Sequence, residues 1–548
     1  MPFTSAYYNK KMMKPKHIMI AVVFRLLAVP FSATAQVPAY LDRSADIEVR
    51  VEDALSRMTL EEKIAMVHAQ SKFSSPGVPR LGIPEVWMSD GPHGVRAETL
   101  WDEWKAAGWT NDACTAFPCL ECLAATWNPS LAGEYGKALG EEARYRGKTV
   151  ILGPGVNIVR TTLCGRNHEY MGEEPLLAGT LAAEYIRGVQ SCGVAACVKH
   201  FALNNQEARR HRYNAVVADA ALHELYLPAF RTAVRDGGVW AMMGAYNKYK
   251  DEYCCQNGLL VRDILKDGWG FDGVFVSDWG GTHDTLQAVR GGLDIEFGTH
   301  TDGLSSGERN AYDDYFLARP YLELIREGTV GTEELDDKVR RVLRLVFRTT
   351  MAPDRPWGSF GSGAHSDVAR DSDVADYSEG RLVGYRWLDA AGKKALYPFG
   401  YGLGYTEFRY GHVSISSAEL SAHELEDGAA VDIDVEIVNA GARDGMETVQ
   451  AYLSEPDAAP LRWLKACPEG RMSLDCRGAV PCKELKAFAK LRVPARGCST
   501  ARLRLDKSAF EHYSPSTGGH SITPGRYILS IARSSEDIRY TYRIHIKQ

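Results

Sequence analysis

Between residues 46 and 350 the chain alternates two kinds of hydrophobic pattern. Short unbroken apolar runs occur at KTVILGP (148–154), GVAACVKH (193–200), GVWAMMGAY (238–246), GVFVSD (273–278) and GLDIEFG (292–298). Between them apolar residues recur at helical spacing, in EPLLAGTLAAEYIRGVQ (174–190), AALHELYLPAFRTAVRDG (220–237), GLLVRDILKDG (258–268) and THDTLQAVRGG (282–292). Runs without polar alternation read as parallel strands covered on both faces. Upstream, MTLEEKIAMV opens a helix with a capping box from Thr59 to Glu62. Repeated strand–helix units of this length predict an α/β barrel of TIM type over 46–350.

Polarity gathers where these strands end. Arg160 follows the first run, Lys199-His200 close the second, Tyr246 the third, Asp278-Trp279 the fourth and Glu296 the fifth. In such barrels the C-terminal strand ends form the active-site face. Taken alone, Asp278 reads as the N-cap of the following helix; five polar strand ends in succession favour a functional face. After residue 350 the helical pattern stops. Residues 352–378 are rich in Gly, Pro, Ser and Asp and read as linker. From about 406 to 548, alternating runs such as AVDIDVEIVNAG, ETVQAYLS, TARLRLD and GRYILSIARS predict a fibronectin type III-like β-sandwich.

Composition narrows the class. The 548 residues carry a net charge of −6 with both signs interspersed, which disfavours nucleic acid and anionic membranes as partners. The chain begins with four lysines (Lys10, Lys11, Lys14, Lys16), an apolar run and an A-x-A site at Ala33–Ala35, the pattern of an export signal over 1–35. A periplasmic or secreted location is therefore expected, without a membrane anchor. Export permits disulfides, and Cys467, Cys476, Cys482 and Cys498 are the pairing candidates among twelve cysteines. Cys119-x-x-Cys122 has no second pair at zinc spacing, so neither metal nor cofactor is expected.

The motifs DGPHGVR (90–96), TAFPCLECLAATWNP (115–129), GPGVNIVRTTLCGRNHEYMGEEP (153–175), KHFALNNQEARRHR (199–212), AYNKYKDEYC (245–254) and GFDGVFVSDWGG (270–281) resemble glycoside hydrolase family 3, particularly its β-glucosidase-like members. So does VGYRWLDAAGKKALYPFGYGLGYTEF (383–408), ahead of the sandwich. The resemblance implies that Asp278 is the nucleophile. It implies further that Asp90, Arg96, Arg166, Lys199, His200 and Arg210 hold the hydroxyls of a terminal sugar, with Tyr246 near the nucleophile and Trp279 as an apolar wall. Charged donors and acceptors that fork onto adjacent hydroxyls suit this task. The alternative for each is a structural ion pair, such as Asp90 with Arg96 or Arg166 with Glu169. His168 and Met171 stand where the family usually has aromatics.

One departure is large. Members of the family normally carry an α/β sandwich domain after the barrel, which brings the general acid/base glutamate. Here AHSDVARD runs almost directly into YSEGRLVGYRW, so 351–405 reads as a linker and the remnant of that domain. A retaining glycosidase needs two carboxyl groups about 5–5.5 Å apart. Glu379 starts a helix and faces solvent in this reading; Glu169, Glu173 and Glu207 are expected beside the arginines, and His211 lacks the spacing of a substitute. The expectation is an exported retaining β-glycosidase acting on terminal non-reducing β-D-glucosyl residues, impaired by loss of its acid/base domain. The alternative is a sugar-binding pseudo-glycosidase with little turnover.

Overall fold

The computed structural model describes residues 37–108, 113–299, 311–352, 374–377, 379–455 and 479–548. The export signal read over 1–35, most of the linker, and Cys467 and Cys476 lie outside the described residues. Residues from Ala39 onward form one compact unit.

Strand β1 (Ser74–Ser75) pairs antiparallel with β2 (Val86–Asp90). Parallel pairing then continues through β3 (Val150–Leu152), β4 (Ala195–Phe201), β6 (Ala241–Gly244) and β9 (Val274–Val276). Every residue of β3, β4, β6 and β9 is buried, as expected for strands sandwiched between barrel interior and outer helices. The run 292–298 does not form the expected strand. Ile295 and Glu296 instead make single parallel bridges, to Val276 and His68, and these close the circuit from β9 back toward β1. β2 has no counterpart among the apolar runs read from sequence, because PEVWMSD mixes Glu, Trp and Ser with its apolar residues.

Outside the strands lie helices at Pro129–Tyr145, Pro175–Ser191, Pro228–Arg235, Thr285–Gly291 and Glu333–Arg348. The Thr59–Glu62 capping box is present as expected. The pattern over 220–237 is broken by Pro228, which lacks the amide N–H a helix interior needs; a wide turn at Leu222–Tyr226 precedes the helix that Pro228 starts.

A small sheet lies beside the barrel. It contains β5 (Asn214–Val216) and the hairpin β7 (Lys248–Tyr249) and β8 (Glu252–Tyr253). β10 (Val374–Asp376) joins it in parallel against β5, so part of the expected linker is tied back to the barrel. A helix at Tyr385–Ala391 follows.

The rest is the β-sandwich. A three-stranded sheet holds β11 (Phe408–Ile415), β13 (Val431–Asn439) and β16 (Cys498–Leu505). A five-stranded sheet holds β12 (Glu419–Ser421), β20 (Ile538–Lys547), β19 (Gly525–Ala532), β14 (Gly445–Ser454) and β15 (Glu484–Val493). A hairpin, β17 (Glu511–Ser514) and β18 (Gly519–Ile522), completes it. Val431, Ile433, Val435 and Ile437 alternate inward along β13, the period of two that the sequence shows. Cys482 and Cys498 are not joined to each other. Among the described residues, no helix is long and apolar enough to cross a membrane.

The sandwich rests directly on the barrel. Arg386 is 2% exposed; its Nη2 lies 2.6 Å from Glu174 of the barrel and its Nε 3.2 Å from Glu484 on β15. Trp127 meets Phe488 edge-on at 5.3 Å, and Lys490 Nζ donates to the Thr126 carbonyl.

Candidate active site

All nine residues singled out in the sequence line one cavity of about 670 Å³ at the C-terminal ends of the barrel strands. Asp90 ends β2, Lys199 and His200 lie on β4, Tyr246 follows β6, and Asp278-Trp279 follow β9. Arg166 comes from the loop after β3 and Arg210 from the loop after β4. Asp278 is not a helix cap: Asp284 caps Thr285–Gly291 by accepting from Gln287 N.

The Asp278 carboxylate accepts a 2.9 Å hydrogen bond from Trp279 N at Oδ1. Oδ2 has no well-formed hydrogen bond among the described residues and stands 3.7 Å from His200 Nε2. Burial raises Asp278 above the usual carboxylate range, against the pull of Arg166, Arg210 and the Tyr246 hydroxyl. Tyr246, driven far up by burial and by Asp278, keeps its proton. Its ring is covered by the Arg210 guanidinium at 4.7 Å and by His211 at 4.1 Å.

Charge inside the cavity is paired. Lys199 Nζ bridges Asp90 Oδ1 at 3.1 Å and Glu169 Oε1 at 2.7 Å. Arg166 Nε holds Glu169 Oε2 at 2.7 Å, and Arg210 Nη1 holds Glu207 Oε2 at 2.6 Å. Burial pushes the Glu169 carboxyl up, but Arg166 and Lys199 outweigh it and hold it well below its usual range. The ion pairs Asp90–Arg96 and Arg166–Glu169 both exist, and they lie within the cavity, so pairing and lining the site are not alternatives.

His200 is neutral: burial, Arg166 and Lys199 all press its pKa far down. Arg166 Nη2 donates to Nε2 at 2.9 Å, which leaves Nδ1–H to donate to the Tyr170 hydroxyl at 3.2 Å. Tyr170 in turn accepts from Asn204 Nδ2 and donates to the Asn204 carbonyl. This chain fixes the tautomer and ring orientation of His200. Tyr170 and Asn204 went unread in the sequence; their only signal was position inside the motifs over 153–175 and 199–212.

Trp279 forms a wall, stacked on Phe297 at 4.8 Å and fixed by Nε1 donating to the Lys72 carbonyl. Phe73, Trp104, His93 and Cys114 also line the cavity and were not anticipated. Two polar strand ends lie elsewhere. Glu296 is fully buried, with Oε2 accepting from Leu317 N at 2.6 Å. Arg160 and Glu379 pair with each other in a second cavity, so Glu379 neither faces solvent nor reaches Asp278. Glu173 also leaves the arginines and accepts from Tyr385 N at 3.0 Å.

A parallel barrel with a carboxylate at one strand end, ringed by paired cations and an aromatic wall, defines a glycosidase-like site. The chain matches the Glycosyl hydrolase family 3 N terminal domain over residues 58–345 and the Fibronectin type III-like domain over 474–535. The protein belongs to glycosyl hydrolase family 3. It is 59% identical over 334 residues to Beta-glucosidase BoGH3A of Bacteroides ovatus, a match covering 61% of this chain and 45% of that protein. It is 28% identical over 683 residues to Thermostable beta-glucosidase B of Acetivibrio thermocellus, covering 89% and 87%. Against the Bacteroides ovatus relative, the chain thus spans less than half of the relative's length. The structure of beta-glucosidase 3B from Thermotoga neapolitana, in complex with alpha-D-glucose, has the same fold, with a TM-score of 0.74 at 22% identity, covering 91% of this chain and 99% of that one.

Proposed function

We propose that this chain is an exported retaining β-glycosidase of β-glucosidase type whose turnover is limited by the lack of a general acid/base. The observation that carries the reading is the Asp278 carboxylate, which lines the cavity with Oδ2 3.7 Å from His200 Nε2 and the Tyr246 hydroxyl acting on it. Oδ2 attacks the anomeric carbon while the bond to the leaving oxygen breaks, and water later cleaves the glycosyl ester. Asp90, Lys199, His200, Arg166, Arg210 and Arg96 bind the sugar hydroxyls, and Trp279 covers an apolar ring face. The substrate is a β-glucoside or β-linked oligosaccharide, as the names of the relatives suggest.

The second carboxyl group is the difficulty. Among the described residues, Asp90, Glu169 and Asp278 are the carboxylates lining the cavity, and the first two are engaged by Lys199. The 683-residue span of the Acetivibrio thermocellus alignment, against 548 residues here, supports a lost internal block. A general acid contributes about 10²–10⁴ in rate, so its loss leaves sugar binding with weak turnover.

Aryl glucosides with acidic leaving groups need little protonation and still glycosylate Asp278, whereas cellobiose reacts far more slowly. Azide, which needs no general base, accelerates turnover of the aryl substrate and yields a β-glycosyl azide. Asp278→Asn abolishes both reactions. Fast cellobiose hydrolysis indifferent to azide would refute the impaired mechanism; aryl hydrolysis surviving Asp278→Asn would remove Asp278 from the nucleophile's role.

A further inference from the structure

Beside the active-site cavity lies a second one, of about 850 Å³, within the size range of small-molecule sites. The loop after β3 separates the two: Arg160 and Thr161 line the second, while Gly165 and Arg166 line the first. Its far side is built from the segment between barrel and sandwich. Tyr397 and Tyr401 stand at its edge, 69% and 49% exposed, with ring centroids 5.4 Å apart and planes 46° from parallel. The two rings present adjoining aromatic faces to solvent at the edge of this cavity.

The polar groups narrow the ligand. Arg160 and Glu379 form an ion pair inside the cavity, and the Tyr226 hydroxyl donates to Glu379 at 3.4 Å. Positive charge there is neutralised, which disfavours an anion. Among the described residues, Trp387 Nε1 is buried without a hydrogen-bond partner, a donor whose burial is costly until something accepts from it. Glu173 adds a carboxyl that accepts from Tyr385 N. Aromatic faces for C–H groups, one unfilled N–H donor and a balanced set of acceptors suit a neutral polyhydroxylated ring.

We propose that this second cavity is a carbohydrate-binding site separate from the catalytic one, taking a neutral di- or trisaccharide unit between the tyrosine pair and Trp387. The sugar docks its ring faces on Tyr397 and Tyr401, accepts from Trp387 Nε1, and gives hydroxyl protons to Glu173 and Glu379. The proposal rests on the glycosidase reading for its choice of probe alone.

Isothermal titration of the whole chain carrying Asp278→Asn, with cellotriose as probe, tests it. Two binding events per chain are expected. Tyr397→Ala with Tyr401→Ala should weaken one at least tenfold and leave the other; both side chains are exposed, and an unchanged melting temperature checks the fold. Asp90→Ala should remove the other event. A single event, lost with Asp90→Ala and indifferent to the tyrosines, overturns this proposal and leaves the glycosidase reading standing. A single event lost with the tyrosines alone supports the second site and sinks the glycosidase reading. Absence of any binding overturns both. A dimer in sedimentation that dissociates on tyrosine replacement would make the cavity a protein interface and overturn the proposal.

Discussion

Replacing Lys199 by Met should cost the folded state about 2 kcal/mol at neutral pH. Lys199 is 2% exposed and bridges Asp90 and Glu169, and breaking a fully buried pair costs about 3–5 kcal/mol. The structure argues for less. Arg166 still holds Glu169 after the change, and Asp90, with its side chain 38% exposed to the cavity, is reached by water and by Arg96 at 3.4 Å. What remains is one lost contact to each of two carboxylates that stay paired or hydrated, at about 1 kcal/mol apiece, hence about 2 kcal/mol. At about 1 °C per kcal/mol for a compact unit of this size, the melting point falls by about 2 °C. The pH dependence identifies the cause. Asp90 and Glu169 have pKa values below their unfolded ones of about 3.9 and 4.3. Their stabilisation is therefore present above that range and lost as pH falls through the folded values. Without Lys199 both carboxyls rise and take up protons sooner, so the gap between variant and wild type narrows between pH 7 and pH 4. Melting curves at several pH values read this directly. An equal deficit at pH 7.5 and pH 4.5 would refute the charge-pairing argument and leave packing as the cause.

Other consequences are open to measurement. Arg386→Met strips the cation shared by buried Glu174 and Glu484 and should cost about 3–5 kcal/mol in urea unfolding; a loss below 1 kcal/mol would mean the two carboxylates find other partners. Lys338, fully buried, is pushed down by burial to about 7, below its unfolded value of about 10.4. The unfolded chain then binds more protons between those values, so stability rises with pH there, by up to about 1.4 kcal/mol per unit. Lys338→Met should remove that slope, and parallel pH profiles for the two proteins would count against a neutral Lys338.

The barrel was legible because its strands are uniform apolar runs and its helices keep a steady period, and the sandwich because β13 alternates strictly. The fifth run failed as a strand for a physical reason. Asp294 and Glu296 spend their carboxylates on backbone N–H groups of other segments, with Asp294 accepting from Phe275 N on β9 and Glu296 from Leu317 N, and the run makes only single bridges. Polar strand ends pointed to the right face of the barrel but did not distinguish Asp278 from Glu296; only the tertiary partners do. Glu379 was misread because its partner Arg160 lies 219 residues away, beyond any local pattern. Glu173 was misplaced similarly, since Tyr385 reaches it from beyond the barrel.

The seam sealed by Arg386 has a consequence for how the chain can be divided. The recognisable family segments, 58–345 and 474–535, suggest interchangeable parts, yet the cation that neutralises Glu174 and Glu484 sits on the helix Tyr385–Ala391, outside both. A fragment ending at Arg348 would expose the barrel face around Trp127 and leave Glu174 without its counter-ion. A sandwich fragment starting at Phe408 would keep Lys486 beside Glu484 at 3.2 Å but lose the second cation, Arg386. Inheritance, expression and recombination should therefore treat residues 39–548 as one piece, with the short connecting helix as the keystone rather than a spacer.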